Sequence, residues 1–146
     1  MNSFVHLNVH SHYSILESTA TVDDLIKVAE RDNQTAIALT DSGNMFGSLE
    51  FYKACLYSET KIKPIIGMRA YIAPESRHHK SKISGKKNFY QLVLIAKNNV
   101  GYKNLIKLST LGFTEGFYYK PRIDKEILLE YKEGLIVLSA GFGGEI

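Results

Sequence analysis

Thr35-Ala-Ile-Ala-Leu-Thr-Asp-Ser-Gly-Asn44 is the stretch whose reading decides the fold. Thr35–Thr40 has the length of a short buried strand, and Asp41-Ser42-Gly43-Asn44 supplies the residue types that favour a turn. Beyond the turn, Met45, Leu49, Tyr52 and Leu56 recur at helical spacing and predict a helix with those residues on its apolar stripe. A buried strand that turns directly into a helix is the start of a βα unit.

The same alternation extends outward from this stretch. Upstream, Phe4–Val9 reads as a first strand. Thr21–Asp32 reads as a helix with Val22, Leu25, Ile26 and Ala29 on one stripe and Thr21 as N-cap ahead of Asp24. Downstream, Pro64 and Gly67 punctuate a strand over Ile65–Ala73, Phe89–Ala96 is the most apolar strand, and Asn99–Thr110 reads as a helix. Gly116–Arg122 is a tyrosine-rich loop or short extended piece. Asp124 caps a helix that ends near Lys132, Gly134 sits where a left-handed C-terminal residue belongs, and Leu135–Ser139 is a last buried strand. The expected class is α/β with a mostly parallel sheet. Because a parallel strand needs neighbours on both sides and helical cover, a chain that stops at Gly141–Ile146 just after such a strand is expected to be the front part of a longer barrel.

Bulk properties narrow the function classes. A length of 146 residues with 45% apolar content suits one domain with a single core. No apolar run approaches the roughly 20 residues that cross a bilayer, and Met1–Ser14 lacks the pattern of a secretory signal. A cytoplasmic protein with no membrane partner is expected. The single cysteine, Cys55, cannot form an internal disulfide and reads as core. A net charge of +3 does not demand nucleic acid. Its distribution is more informative: Arg77–Lys87 (RHHKSKISGKK) contains Arg77, Lys80, Lys82, Lys86 and Lys87 and no acidic residue. That segment is either a solvated loop or a contact for a phosphate backbone.

His6, His10 and His12 alternate along one extended segment and would share a face. On spacing alone they serve equally well as metal ligands at a strand tip or as solvent-facing side chains.

The order of short segments adds what spacing does not. FVHLNVHSHYSILES, ALTDSGNMFGSLEFYKAC, IKPIIGMRAYIAPESR, FYQLVLIAKNNVGYKNLIKLST, EGFYYKPRIDKEIL and EGLIVLSAGFGGEI are together similar, in order and spacing, to the N-terminal PHP domain of the bacterial DNA polymerase III alpha subunit. The resemblance covers nearly the whole chain. It implies a distorted TIM-like (β/α) barrel, of which residues 1–146 are the N-terminal portion, truncated before closure. It also implies a place in a DNA-directed DNA polymerase, a nucleotidyltransferase of DNA replication that needs Mg2+ as a whole.

Active PHP domains bind three divalent metals and hydrolyse phosphoester bonds, the metals activating a water and stabilising phosphoryl oxygens. Carried over residue by residue, the family's His-x-His pair falls on Asn8 and His10 and its following acid on Glu17. The histidine of Thr-Asp-His-Gly-Asn falls on Ser42, the glutamate after Lys-Pro-x-x-Gly on Arg69, a fourth histidine on Gln91 and a cysteine on Gly141. Only His10 and Glu17 keep a ligand-competent type, and an always-protonated arginine repels a cation. The resemblance therefore implies a vestigial site with no metal or other cofactor in this segment.

Arg69 is expected to take the place of the missing ions by pairing with Glu17 or Asp41 at the mouth of the barrel; the alternative is that it points to solvent. Gln91 is expected to bond to Asn8, Ser42 or backbone within the old site, and His12 to lie at the surface. As partners the resemblance implies the rest of the alpha subunit, DNA through that subunit, and in some lineages a proofreading exonuclease. The alternative activity is a surviving metal-dependent phosphoesterase or 3′–5′ exonuclease using His10, Glu17 and an Asp-x-His pair beyond Ile146.

Overall fold

The computed structural model describes residues 4–144. In chain order the elements are α1 (Val22–Arg31), β1 (Ala36–Leu39), α2 (Ser48–Tyr57), β2 (Lys63–Ile72), β3 (Tyr90–Ala96), α3 (Asn99–Thr114), β4 (Arg122–Ile123), α4 (Lys125–Glu130) and β5 (Leu135–Ser139). A single sheet runs β1-β2-β3-β5, with β4 pairing the far end of β2.

The α/β class stands, but the sheet is mixed. β1 lies parallel to β2, with Ala36 opposite Lys63 and Leu39 opposite Ile66. β4 also runs parallel to β2. β3 returns antiparallel, with Gly67 opposite Ile95, and β5 is antiparallel to β3. A parallel return needs a crossover, commonly a helix, and the segment between β2 and β3 contains none.

Alternation along β2 shows how the layers stack. Ile62 and Ile66 pack with Val22, Ile26 and Ala29 of α1, Ile37 and Leu39 of β1, and Phe51 and Cys55 of α2. Met68, Ala70 and Ile72 pack with Leu94, Leu105, Leu108, Ile123 and Ile127. All five β2-side residues are even-numbered, so both clusters sit on the same face of β2 and the odd-numbered Arg69 and Tyr71 point to the other. The helices of both clusters therefore cover that one face of β2. A cavity of about 690 Å³ opens beside α2 and the start of α3, lined by Leu49, Tyr52, Ile65, Ile95, Ile136 and Leu138 among others.

Local chemistry explains where elements begin. Thr21 caps α1 through a capping box: its hydroxyl accepts from Asp24 N at 3.1 Å while the Asp24 side chain reaches back to Thr21. Asn98 caps α3 by accepting from Gly101 N at 3.0 Å, and Asp124 caps α4 through Ile127 N at 3.2 Å. Gly101 lies against the backbone of Gly134, which leaves no room for a Cβ.

Four expectations change. Phe4–Val9 is no regular strand: it lies beside β1 through two bonds, Ala38 N to His6 O and Thr40 N to Val9 O, and bends at Leu7 and Asn8 between them. In α2 the buried stripe is Ser48, Phe51 and Cys55, while Leu49 is 64% exposed. The sequence carries two apolar stripes there, and periodicity cannot rank them. α3 runs on to Thr114, past Gly112, with Leu111 packed against the core and Gly112 itself buried. β5 is not buried: among the described residues only β3 pairs with it, and Ile136 and Val137 are exposed. Of the terminal Gly141–Ile146 stretch, residues 141–143 form a 3-10 turn and the last two lie outside the described residues. Among the described residues no helix is long and apolar enough to cross a membrane.

Candidate functional site: an ion-paired cluster at the end of the sheet

The β1–β2 pairing continues past the end of β1. Arg69 N donates to Asp41 O at 3.0 Å and Gly43 N donates to Arg69 O at 2.9 Å, which sets Ser42 beside Arg69. Gly43 makes the turn at φ +71°, a left-handed conformation that favours glycine, with the Tyr71 ring and Pro121 against its Cα.

On the face of β2 opposite the helices, the Arg69 guanidinium forms an ion pair with Glu17 and donates to Ser42 Oγ at 2.6 Å. Ser42 Oγ donates to Glu17 Oε2 at 2.7 Å, and Tyr71 Oη donates to Glu17 Oε1 at 3.1 Å. Both oxygens of Glu17 are therefore engaged. Burial pushes the Glu17 carboxyl up, but the Ser42 hydroxyl, the Arg69 charge and the Tyr71 hydroxyl together hold it below the usual glutamate value. Tyr71 is shifted upward, by burial first and by the Glu17 charge second.

Asp41 is bound elsewhere. Its carboxylate accepts from Ser11 N at 2.7 Å, Ser11 Oγ at 2.8 Å and Ser14 Oγ at 2.6 Å, which ties the 11–14 turn to the end of β1. Of the two carboxylates expected for Arg69, the pair is with Glu17. Asn8 Oδ1 accepts from Thr40 Oγ1 at 3.1 Å. Asn44 Nδ2 donates to Tyr13 O and Ser42 O, so Thr40, Asp41 and Asn44 brace this turn. His10 has both ring nitrogens buried, without a hydrogen-bond partner among the described residues. Burial, followed by the Arg69 charge, lowers its pKa against the opposing pull of Asp41 and Glu17. His12 is exposed and lies against Tyr13, as expected.

Two expected members are not joined to this cluster. Gln91 stands opposite Tyr71 in the β2–β3 register, but among the described residues no hydrogen bond links it to Asn8 or Ser42. Its amide lies against Gly143, and Gln91 bridges to Gly144, because the 3-10 turn after β5 folds back on β3. Gly141 opens that turn at φ +60°, with open space around its Cα.

This arrangement does not fit a divalent metal cluster. The Glu17 oxygens are taken by Arg69, Ser42 and Tyr71, those of Asp41 by the two serines, and a guanidinium occupies the mouth. Among the described residues no three His, Cys, Asp or Glu side chains converge.

The basic segment divides by partner. Arg77 is not an exposed cation: its side chain is 12% exposed and pairs with Glu115 at 2.7 Å and Asp124 at 3.1 Å. Lys86 pairs with Glu75 at 2.8 Å. Lys87 donates to Phe142 O at 3.3 Å and stands over the Tyr90 ring. Lys80 and Lys82 are exposed, with no ion pair among the described residues. Sequence reasoning missed Ser11, Ser14, Tyr71 and the buried Arg122. Tyr71 was within reach, since it lies two residues beyond Arg69 and a strand returns it to the same face.

Comparison with known proteins sets this geometry in a family. The chain is 50% identical over 143 residues to DNA polymerase III subunit alpha of Borreliella burgdorferi, covering 98% of this chain and 12% of that protein. It is 48% identical over 144 residues to the same subunit of Treponema pallidum, covering 99% and 12%, and 48% identical over 146 residues to that of Aquifex aeolicus, covering 97% and 12%. The chain thus spans about an eighth of the length of these relatives. The PHP domain profile matches residues 6–146, so the chain belongs to the PHP domain family.

Proposed function

We propose that this chain is the N-terminal PHP segment of a replicative DNA polymerase alpha subunit, and that within it the segment is a metal-free brace and docking domain. The observation that carries this reading is the Glu17–Arg69–Ser42–Tyr71 cluster, which closes with protein charge the positions where the family places its ligands. Identity of 48–50% to alpha subunits along nearly the whole chain supports the polymerase context. In that context the chemistry of chain extension belongs to Mg2+ and carboxylates outside this segment. The segment's own residues hold the barrel wall and present surfaces to the rest of the subunit and, in this reading, to a proofreading exonuclease. A cytoplasmic location follows from the same reading.

The test uses the full-length protein. Primer extension with Mg2+ should proceed, and a 3′-labelled single strand should release no nucleotide in the absence of a separate exonuclease. Nucleotide release that disappears in His10→Ala would instead establish the surviving phosphoesterase. Absence of primer extension would remove the polymerase context.

A further inference from the structure

After Glu75 the next acidic residue is Glu115. The 39 residues between them hold eight of the chain's eighteen Lys and Arg and none of its fifteen Asp and Glu. Five of those cations fall in 77–87, the connection between β2 and β3. Long loops usually owe their order to packing; two arginines fasten the base of this one. Arg77, at its start, is anchored by Asp124 and Glu115, and its backbone N donates to Asp124 Oδ2 at 2.9 Å. Arg122, buried in β4, reaches the other way: Nη2 donates to His79 O at 2.8 Å, Nη1 to Asn88 O at 3.1 Å and Nε to Gly116 O at 3.2 Å, with the guanidinium over the Tyr118 ring.

Arg122 therefore holds the carbonyls at both ends of the 79–88 stretch. Between those fixed points Lys80 and Lys82 are exposed and free of ion pairs among the described residues, with Ser81 between them. Among the described residues Lys87 makes a bond to a carbonyl and a contact with a ring, and no ion pair. Unpaired lysines on an acid-free loop with a base fixed by arginine suit a run of spaced single negative charges. A lysine already paired, such as Lys86, must first give up its partner.

We propose that the 78–87 loop is a contact for a nucleic-acid phosphodiester backbone, made by Lys80, Lys82 and Lys87 and oriented by Arg77 and Arg122. This rests on the reading that the domain belongs to a DNA polymerase. The contact is sequence-independent, since phosphate carries no base information.

The experiment measures binding of the full-length protein to duplex DNA of fixed length across a series of salt concentrations. Lys80→Ala/Lys82→Ala/Lys87→Ala should weaken binding at low salt and make the slope of log affinity against log salt shallower by about 0.9 for each phosphate that is no longer neutralised. Lys27→Ala/Lys53→Ala, which removes exposed lysines from α1 and α2, should leave the slope and primer extension at their wild-type values. An unchanged slope in the triple variant of a protein that binds and extends DNA overturns the proposed backbone contact alone. A full-length protein that neither binds nor extends DNA overturns the polymerase reading, and the loop's role with it.

Discussion

Replacing Arg69 by methionine keeps most of the side-chain volume and removes the charge. Glu17 then retains Ser42 and Tyr71 as donors but loses its cation in a site where the two side chains are only 17% and 31% exposed. Exposed pairs contribute about 0–1 kcal/mol, whereas removing one partner of a fully buried pair costs about 3–5 kcal/mol. The partial exposure here places the loss near 2 kcal/mol. For a domain of this length that corresponds to a fall in Tm of about 4–8 °C.

The pH dependence carries a sign of its own. The Glu17 carboxyl sits below its ordinary value in the folded protein, so its stabilisation is present above the unfolded value of 4.5 and is lost as pH falls through the lower, folded value. The Tm gap between wild type and Arg69→Met, measured by circular dichroism, should therefore be full at neutral pH and shrink in acid. Adding Glu17→Gln should recover part of the loss, because no unpaired charge is then left half-buried. A gap that is the same at acidic and neutral pH, or a double variant whose loss equals the sum of the two singles, would refute the reasoning.

Arg122→Met should cost about 2–3 kcal/mol, since three carbonyls lose a charged donor, and limited trypsin digestion should then cut faster at Lys80 and Lys82. Thr21→Ala removes the α1 cap and should lower stability by about 1 kcal/mol in a urea melt, with no change in primer extension. Burial pushes the Cys55 thiol up to about 12, so a thiol reagent at mildly alkaline pH should label it only as fast as the protein opens, and at once in denaturant.

What the sequence disclosed follows from how local each feature is. The cap at Thr21, the turn at Gly134 and the apolar run of β5 depend on neighbours in the chain, and the structure places each within a residue or so of its expected position. Strand direction does not depend on neighbours: β3 runs antiparallel because the 77–87 connection contains no helix, which matters only once the strands pair. The choice of stripe on α2 had the same defect, since Phe51–Cys55 and Leu49–Tyr52–Leu56 are both apolar and only packing selects between them. At the site, the sequence supplied the positions and the expectation that Arg69 pairs with Glu17 or Asp41, but not which of the two. The β1–β2 register brought Ser42 and Arg69 together with Glu17, left Asp41 to Ser11 and Ser14, and drew Gln91 toward the turn after β5.

Metal content tests the central claim most directly. The full-length protein, incubated with zinc or manganese and then freed of unbound ions by gel filtration, should carry neither ion near stoichiometry in elemental analysis, and its Tm should not move on chelation. Near-stoichiometric zinc or manganese that disappears in His10→Ala or Glu17→Gln would contradict the account, because it would require Glu17 to exchange Arg69 for an ion.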